Sequence, residues 1–189
     1  EELLLNAVST LTNLSFYENW QTNTSSTVFH RGYIFQQRLE LLPLLLPLAT
    51  HENDEVVIHA LRVIGNLSRD GDVRNLMLTL KGMDLLGLLL DKVDAEVVAT
   101  ACGLLVNFSS DANYVSSFTD PAIGLVPKLV DAVEQAIEAD DDICDQVATN
   151  ALKTIANLQG HQVEFDDEYK RCLYESLHPY FGEGETADD

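Results

Sequence analysis

The feature that most constrains this chain is a helix ending, an apolar run closed by Asn and two further residues, that occurs four times. The second copy is LRVIGNLS at 61–68, and the others are STLTNLS at 9–15, GLLVNFS at 103–109 and KTIANLQ at 153–159. Their Asn residues lie roughly 40 to 50 positions apart, a spacing typical of stacked helical repeats, in which each repeat buries its apolar face against its neighbours. The sequence therefore predicts an all-α chain folded as a helical-repeat superhelix, an α-solenoid.

Each copy is predicted to be an inner helix, packed between layers. In the second copy Val57, Leu61 and Ile64 follow one helical face, and Val56 and Val63 add a second apolar face. A helix that is apolar nearly all round is buried on most sides. We expect the inner helices near 2–16, 54–68, 94–109 and 143–158, with core positions at Leu61, Ile64, Leu104, Leu105 and Ile155.

One polar stripe interrupts the apolar surface of these helices. Its residues are three or four positions apart, so they share a face, and stacking would align the stripes into a ladder along one surface. An Asn side chain both donates and accepts, so it can hold the backbone of an extended peptide. The alternative is that each Asn only ties down a loop between repeats, since buried polar groups usually have local partners. The residues of the predicted partner-binding groove are Asn13, His59, Arg62, Asn66, Arg69, Asn107, Asn150, Lys153 and Asn157.

These helices resemble the third helix of armadillo repeats, which ends in the same N-L-S-like pattern and lines a concave groove. The resemblance implies an armadillo-type fold and a ladder Asn that holds a bound peptide. The nuclear-import branch of the family also places Trp four residues before the Asn, whereas this chain has Ser9, Arg62, Gly103 and Lys153 there. That departure argues against recognition of a nuclear-localisation signal.

A closer resemblance is to the C-terminal repeats of ciliary armadillo proteins. It rests on residues 2–18, 61–73, 99–114 and 123–133. It implies a non-enzymatic adapter or scaffold in ciliary transport and in the assembly of axonemal radial spokes. The implied partners are radial-spoke subunits or intraflagellar transport proteins, in the cytoplasm and in the axoneme of a cilium or flagellum. The alternative is a static structural armadillo module within a large axonemal assembly.

The charge of the chain restricts its partners. Lys and Arg total 11 against 31 Asp and Glu, which gives a formal net charge of −20. Nucleic acid and anionic membranes are repelled by such a field, so a basic protein surface is the expected partner, with solubility alone as the alternative explanation. No apolar run reaches the roughly 18–20 residues that span a bilayer, so no membrane insertion is expected.

Signatures of catalysis and of cofactor or metal binding are missing from the sequence. It contains no G-x-x-x-x-G-K, G-x-G-x-x-G, H-E-x-x-H or G-x-S-x-G motif. The three Cys residues are far apart with no C-x-x-C, as expected for reduced thiols in an intracellular protein. Asp140 to Asp142 lack the alternating pattern and central Gly of a calcium loop. We therefore expect neither enzyme activity nor a cofactor or metal site.

The predicted organisation is one armadillo-repeat domain over 1–178 and an acidic tail over 179–189. We expect the chain to begin inside a repeat, because the outer helices that would pair with the first inner helix are not in this sequence, and therefore to be the C-terminal part of a longer protein. A polar loop is expected at 17–30, with Trp20 packing it onto the repeat edge, and an end-cap helix near 166–178. Asp54 and Asp94 are expected to cap inner helices, and Asp120 followed by Pro121 to start another helix.

Overall fold

Every regular element that the structure describes is helical. The computed structural model describes residues 1–20, 32–139 and 141–180, and the all-α prediction is confirmed. Short 3-10 segments occur at Leu46–Thr50, Ala112–Tyr114 and His178–Tyr180. The α-helices are α1 (Glu2–Trp20), α2 (Tyr33–Gln36), α3 (Arg38–Leu45), α4 (Asp54–Leu67), α5 (Gly71–Thr79), α6 (Gly82–Leu89), α7 (Ala95–Ser109), α8 (Val115–Phe118), α9 (Leu125–Ala139), α10 (Asp142–Gly160) and α11 (Asp167–Leu177).

The four long helices that carry the repeated ending form one layer. In this layer α1 packs on α4, α4 on α7, and α7 on α10. Other helices form the second layer, in which α3 packs on α4, α6 on α7 and α9 on α10. This is the two-layer arrangement of a helical-repeat stack, where each repeat contacts only its neighbours.

A continuous apolar core fills the space between the two layers. It extends from Ile34 before the second inner helix to Phe165 before α11. The five positions expected in the core are all buried, with exposed fractions of 4% or less. The outer face of α1 is different, because Leu3, Leu14 and Tyr17 are exposed on it.

The starts of the inner helices are set by side-chain caps. Asp94 Oδ1 accepts hydrogen bonds from the amides of Glu96 and Val97 at 3.0 Å, as predicted for α7. The prediction for α4 is wrong by one residue. Asn53 is the cap there, accepting from the Glu55 amide at 2.9 Å, and Asp54 is the first helical residue. Asn and Asp cap about equally well, so the sequence could not separate these neighbours.

The predicted helix start at Asp120 and Pro121 is also wrong. Asp120 Oδ1 does accept from the Ala122 amide at 2.9 Å, but the bond closes a separate turn. Gly124 then adopts a φ of +66°, a left-handed conformation that glycine reaches without steric penalty, and α9 begins at Leu125. This turn shapes one wall of a pocket described below.

The last helix covers the end of the stack. Tyr169, Cys172 and Leu173 on α11 pack against the core, and α11 lies on α9. At the other end, α1 continues to Trp20, so the expected loop does not begin at residue 17. The rest of that loop, the side chain of Trp20 and the acidic tail from residue 181 lie outside the described residues.

Removing a core side chain of an inner helix should destabilise the whole stack. We expect Leu61→Ala, at a position 1% exposed, to lower the free energy of unfolding by about 2–5 kcal/mol because it leaves a cavity between layers. The matched control is Leu88→Ala, at a position 66% exposed, which should change it by less than about 0.5 kcal/mol. Urea denaturation followed by circular dichroism measures both, and equal losses would contradict the assigned layers.

Candidate binding groove

A cavity of about 470 Å³ lies on the surface formed by the four inner helices. We call it the binding groove. Its walls come from α1, α4, α7 and α10, so four successive repeats contribute to one surface. Six of the nine predicted site residues line it: Asn13, Arg62, Asn66, Arg69, Asn107 and Asn150.

The groove crosses the inner helices obliquely. It is lined by the second halves of α1 and α4, by α7 from Glu96 to Asn107, and by the first half of α10 at Gln146 and Asn150. A helical stack rotates slightly from one repeat to the next, so equivalent positions do not stay on a straight line. Lys153 and Asn157 lie further along α10 and do not line the groove.

The ladder Asn residues connect neighbouring inner helices. In three successive steps, the amide nitrogen Nδ2 of an Asn donates to the hydroxyl oxygen of a Ser near the end of the preceding inner helix. All three Ser residues are buried, with exposed fractions of 1% or less. The amide N–H groups therefore hold the repeats together, between helices rather than in loops. The pairs are Asn66 with Ser15 at 3.0 Å, Asn107 with Ser68 at 2.9 Å, and Asn157 with Ser109 at 3.0 Å.

Two further bonds strengthen these connections. Asn107 Nδ2 also donates to the backbone carbonyl of Gly65 at 3.0 Å. Asn150, one pair of turns before Asn157 on α10, donates to the carbonyl of Ala99 on α7 at 3.2 Å. The acceptor serines were not among the predicted site residues, although the repeated ending contains them: Ser stands two positions after the Asn in the first three copies, and Gln159 replaces it in the fourth.

Two of the Asn side chains that line the groove retain hydrogen-bonding capacity toward it. Asn107 is half-buried, and its oxygen Oδ1 accepts no hydrogen bond from any residue that the structure describes. Asn13 is exposed, and its side chain makes no hydrogen bond to the described part of the chain. These oxygens can accept from the backbone N–H groups of a bound segment.

The charge of the groove differs from that of the whole chain. Arg62 Nη2 forms an ion pair with Glu96 Oε1 at 2.6 Å, and both side chains are close to half exposed. Arg69 is exposed and has no ion-pair partner among the described residues. Two guanidinium groups against one carboxylate leave a local positive excess on a strongly acidic protein.

Three predicted residues do not line the groove, and two of them, His59 and Lys153, take no part in the Asn–Ser bonds described above. His59 turns toward α1, where Nδ1 is 3.2 Å from Thr12 Oγ1. Burial, and then the nearby charge of Arg62, lower the pKa of His59, so its neutral form is favoured between the helices. Lys153 is exposed on α10, outside the groove, and forms no ion pair within the described ranges.

The described residues offer little reactive chemistry. Among them, no group of three or more His, Cys, Asp or Glu side chains is placed to hold a metal ion. Burial raises the pKa of Cys102 to about 12, so this thiol stays protonated and is a poor nucleophile. Within the same residues, no helix combines the length and apolar character needed to cross a membrane.

Solved structures identify the architecture. A designed armadillo repeat protein is 20% identical and superposes with a TM-score of 0.64, covering 93% of this chain and 65% of its own. A second, solved in complex with the peptide (KR)4, is 21% identical with a TM-score of 0.65, covering 100% of this chain and 71% of its own. The chain has the armadillo-repeat fold.

The chain is also similar in sequence to curated armadillo-repeat proteins. Armadillo repeat-containing protein 2 of Mus musculus is 28% identical over 183 residues, which is 97% of this chain. The Homo sapiens protein of that name is 30% identical over 188 residues, or 100% of this chain. The armadillo resemblance seen in the sequence is confirmed. The chain spans about a fifth of these relatives, 20% of the length of each. No protein-family model matches it.

The hydrogen bond between Asn107 and Ser68 should appear as a coupling free energy in a double-mutant cycle. We expect Asn107→Ala to lower the free energy of unfolding by about 1–3 kcal/mol, since it removes the donor to the buried Ser68 hydroxyl and to the Gly65 carbonyl. Ser68→Ala should also destabilise, and the double variant should lose less than the sum of the two. Asn13→Ala is the control and should be nearly neutral. Strict additivity in urea denaturation would contradict a direct Asn–Ser bond.

Proposed function

We propose that this armadillo-repeat chain is a non-enzymatic scaffold that binds an extended protein segment in the binding groove. The observation that carries the proposal is the presence of Asn side chains from successive inner helices along one continuous groove. A designed protein of the same fold was solved in complex with a peptide, which supports this kind of ligand.

The spacing of the repeats suits an extended segment. Packed helices lie about 8–10 Å apart. An extended chain advances about 3.3 Å per residue, so Asn residues on neighbouring inner helices address roughly every third residue of a bound segment. Asn107 Nδ2 already holds the preceding helix, so Oδ1 of Asn107 and Oδ1 of Asn13 are the groups that we assign to ligand backbone N–H groups.

The charge of the groove favours a segment that contains carboxylates. Arg62 and Arg69 line the groove with Glu96 as the one acidic side chain among its lining residues. The peptide bound by the designed protein is (KR)4, which is basic throughout. Gly103 lines this groove where import receptors carry Trp, so an aromatic slot for a lysine stem is absent from that position. The excess of arginine in the groove and the glycine at position 103 both support an acidic rather than a basic segment as the ligand.

The cellular context that we propose follows the ciliary resemblance in the sequence. The segment would belong to a radial-spoke subunit or an intraflagellar transport protein, and the scaffold would act in the cytoplasm and the axoneme. The alternative is a resident structural module of an axonemal assembly. The use of three Asn side chains to join the repeats favours that alternative, because such ties serve rigidity whether or not a ligand binds.

A charge reversal in the groove tests the binding surface. We expect Arg69→Glu, in the full-length protein in motile ciliated cells, to reduce capture of radial-spoke subunits at least fivefold by quantitative mass spectrometry. Arg69 has no described ion-pair partner, so folding of the variant protein should be unaffected. The matched control is Arg171→Glu, an exposed residue of α11 outside the groove. Unchanged capture with Arg69→Glu would exclude the groove as the working surface.

The same cells distinguish an adapter from a resident module. A fluorescent fusion of an adapter should exchange in the axoneme within minutes after photobleaching, because it leaves once its cargo is delivered. A resident structural module should not recover. Fluorescence recovery of the unmodified protein, together with loss of capture in the Arg69→Glu variant, would support the transport proposal. Absence of recovery would favour the structural alternative.

A further inference from the structure

A second cavity, of about 340 Å³, lies near the C-terminal end of the stack. It is formed by the connection between α8 and α9, the first turn of α9, residues 163–166 and α11. We call it the end pocket. The residues that line it and those that line the binding groove are entirely different.

The wall of the end pocket is apolar. Phe118 and Phe165 are buried beneath it, with exposed fractions of 1% and 5%. Pro121 and Pro127 add rigid apolar surface, and Tyr169 contributes a half-buried aromatic ring. Aliphatic chains bury favourably against such a wall, and an aromatic face also attracts cations.

The rim of the end pocket carries three carboxylates, Asp120, Glu164 and Asp166, and its lining includes no Lys, Arg or His. All three residues are exposed. Asp120 accepts from the Ala122 amide, whereas Asp166 makes no capping bond to α11. None of the three pairs with a cation in the described part of the chain.

These carboxylates do not form a metal site, since the described residues contain no acidic, His or Cys group with that geometry. An apolar wall below an acidic rim that has no ion-pair partner among the described residues instead complements a side chain with an aliphatic stem and a cationic head. Arg and Lys bury their stems in this way while the head stays at the surface. Arg is the better complement, because its planar guanidinium can stack on a ring and pair with more than one carboxylate.

We propose that the end pocket docks an arginine side chain from a basic segment of a partner protein. The segment differs in charge from the one that we assign to the binding groove, so the chain would engage two segments at separate surfaces. The formal charge of −20 steers a basic segment toward the protein. The apolar wall holds the arginine stem in place, since exposed ion pairs alone contribute little binding free energy.

The test uses the full chain and two peptides that differ only in charge. One is the acetylated and amidated pentapeptide Ser-Leu-Arg-Leu-Ser, and the other has citrulline in place of arginine. Titrations are followed by backbone amide NMR. We expect saturable shifts concentrated at residues 118–127 and 163–169 with the arginine peptide, and at least fivefold weaker binding of the citrulline peptide.

Variants assign the binding to the rim. Glu164→Gln combined with Asp166→Asn should weaken binding of the arginine peptide at least fivefold. Neither carboxylate has a described side-chain partner, so the fold should be retained. An amide spectrum of the variant that matches that of the original protein away from the two substitutions checks this. The control is Glu52→Gln combined with Glu168→Gln, which removes the same charge from exposed positions that do not line the end pocket and should change affinity less than twofold.

Three outcomes would overturn the proposal. They are equal binding of both peptides, equal weakening by the two double variants, and shifts spread over the acidic surface or centred on the binding groove. Failure here leaves the proposed function of the groove intact, because Arg69→Glu tests a different surface with a different ligand. Loss of spoke capture in Arg69→Glu with normal binding of the arginine peptide would separate the two sites.

Discussion

The hydrogen bond from an Asn on one inner helix to a buried Ser on the preceding helix is the interaction on which the geometry of this stack depends. Apolar contacts between helices are favourable but not directional, so they do not fix how far one helix slides along the next. The Asn–Ser bond does, because a slide of one turn would leave a buried hydroxyl such as Ser68 without its donor. Three such bonds in succession set the register of all four inner helices.

A second connection acts on the other layer. Arg74 on α5 donates to the carbonyl of Ser68 at 2.8 Å and pairs with Asp111 of the following repeat at 3.0 Å. The hydrogen bond from the Asn113 amide, followed by the hydrogen bond from Arg74 and its charge, lowers the pKa of Asp111, so the pair stays ionised near neutral pH. Repeats held on both layers present the binding groove already formed. A ligand then meets little conformational entropy cost in the protein.

The sequence predicted the repeats, the layer of long helices and the core because all three follow from apolar periodicity at positions such as Leu61 and Ile64. It could not predict which residues of each inner helix line the groove. That depends on the small rotation between repeats, which brings Asn150 rather than Lys153 and Asn157 to the groove. It also could not pair Asn107 with Ser68, because the acceptor is chosen by packing between residues 39 positions apart. Asn53 and Asp54 show the same limit at a helix end, where two competent caps are adjacent.

The Asn–Ser bonds have a direction along the chain. In each pair the serine comes first, and its asparagine follows 51, 39 or 48 residues later. Translation proceeds at about 5–20 residues per second, so successive inner helices leave the ribosome seconds apart. Helix formation is complete within about a microsecond, so each new helix meets an acceptor that is already in place. The stack can thus grow in the order of synthesis, one repeat at a time, without breaking any hydrogen bond made before.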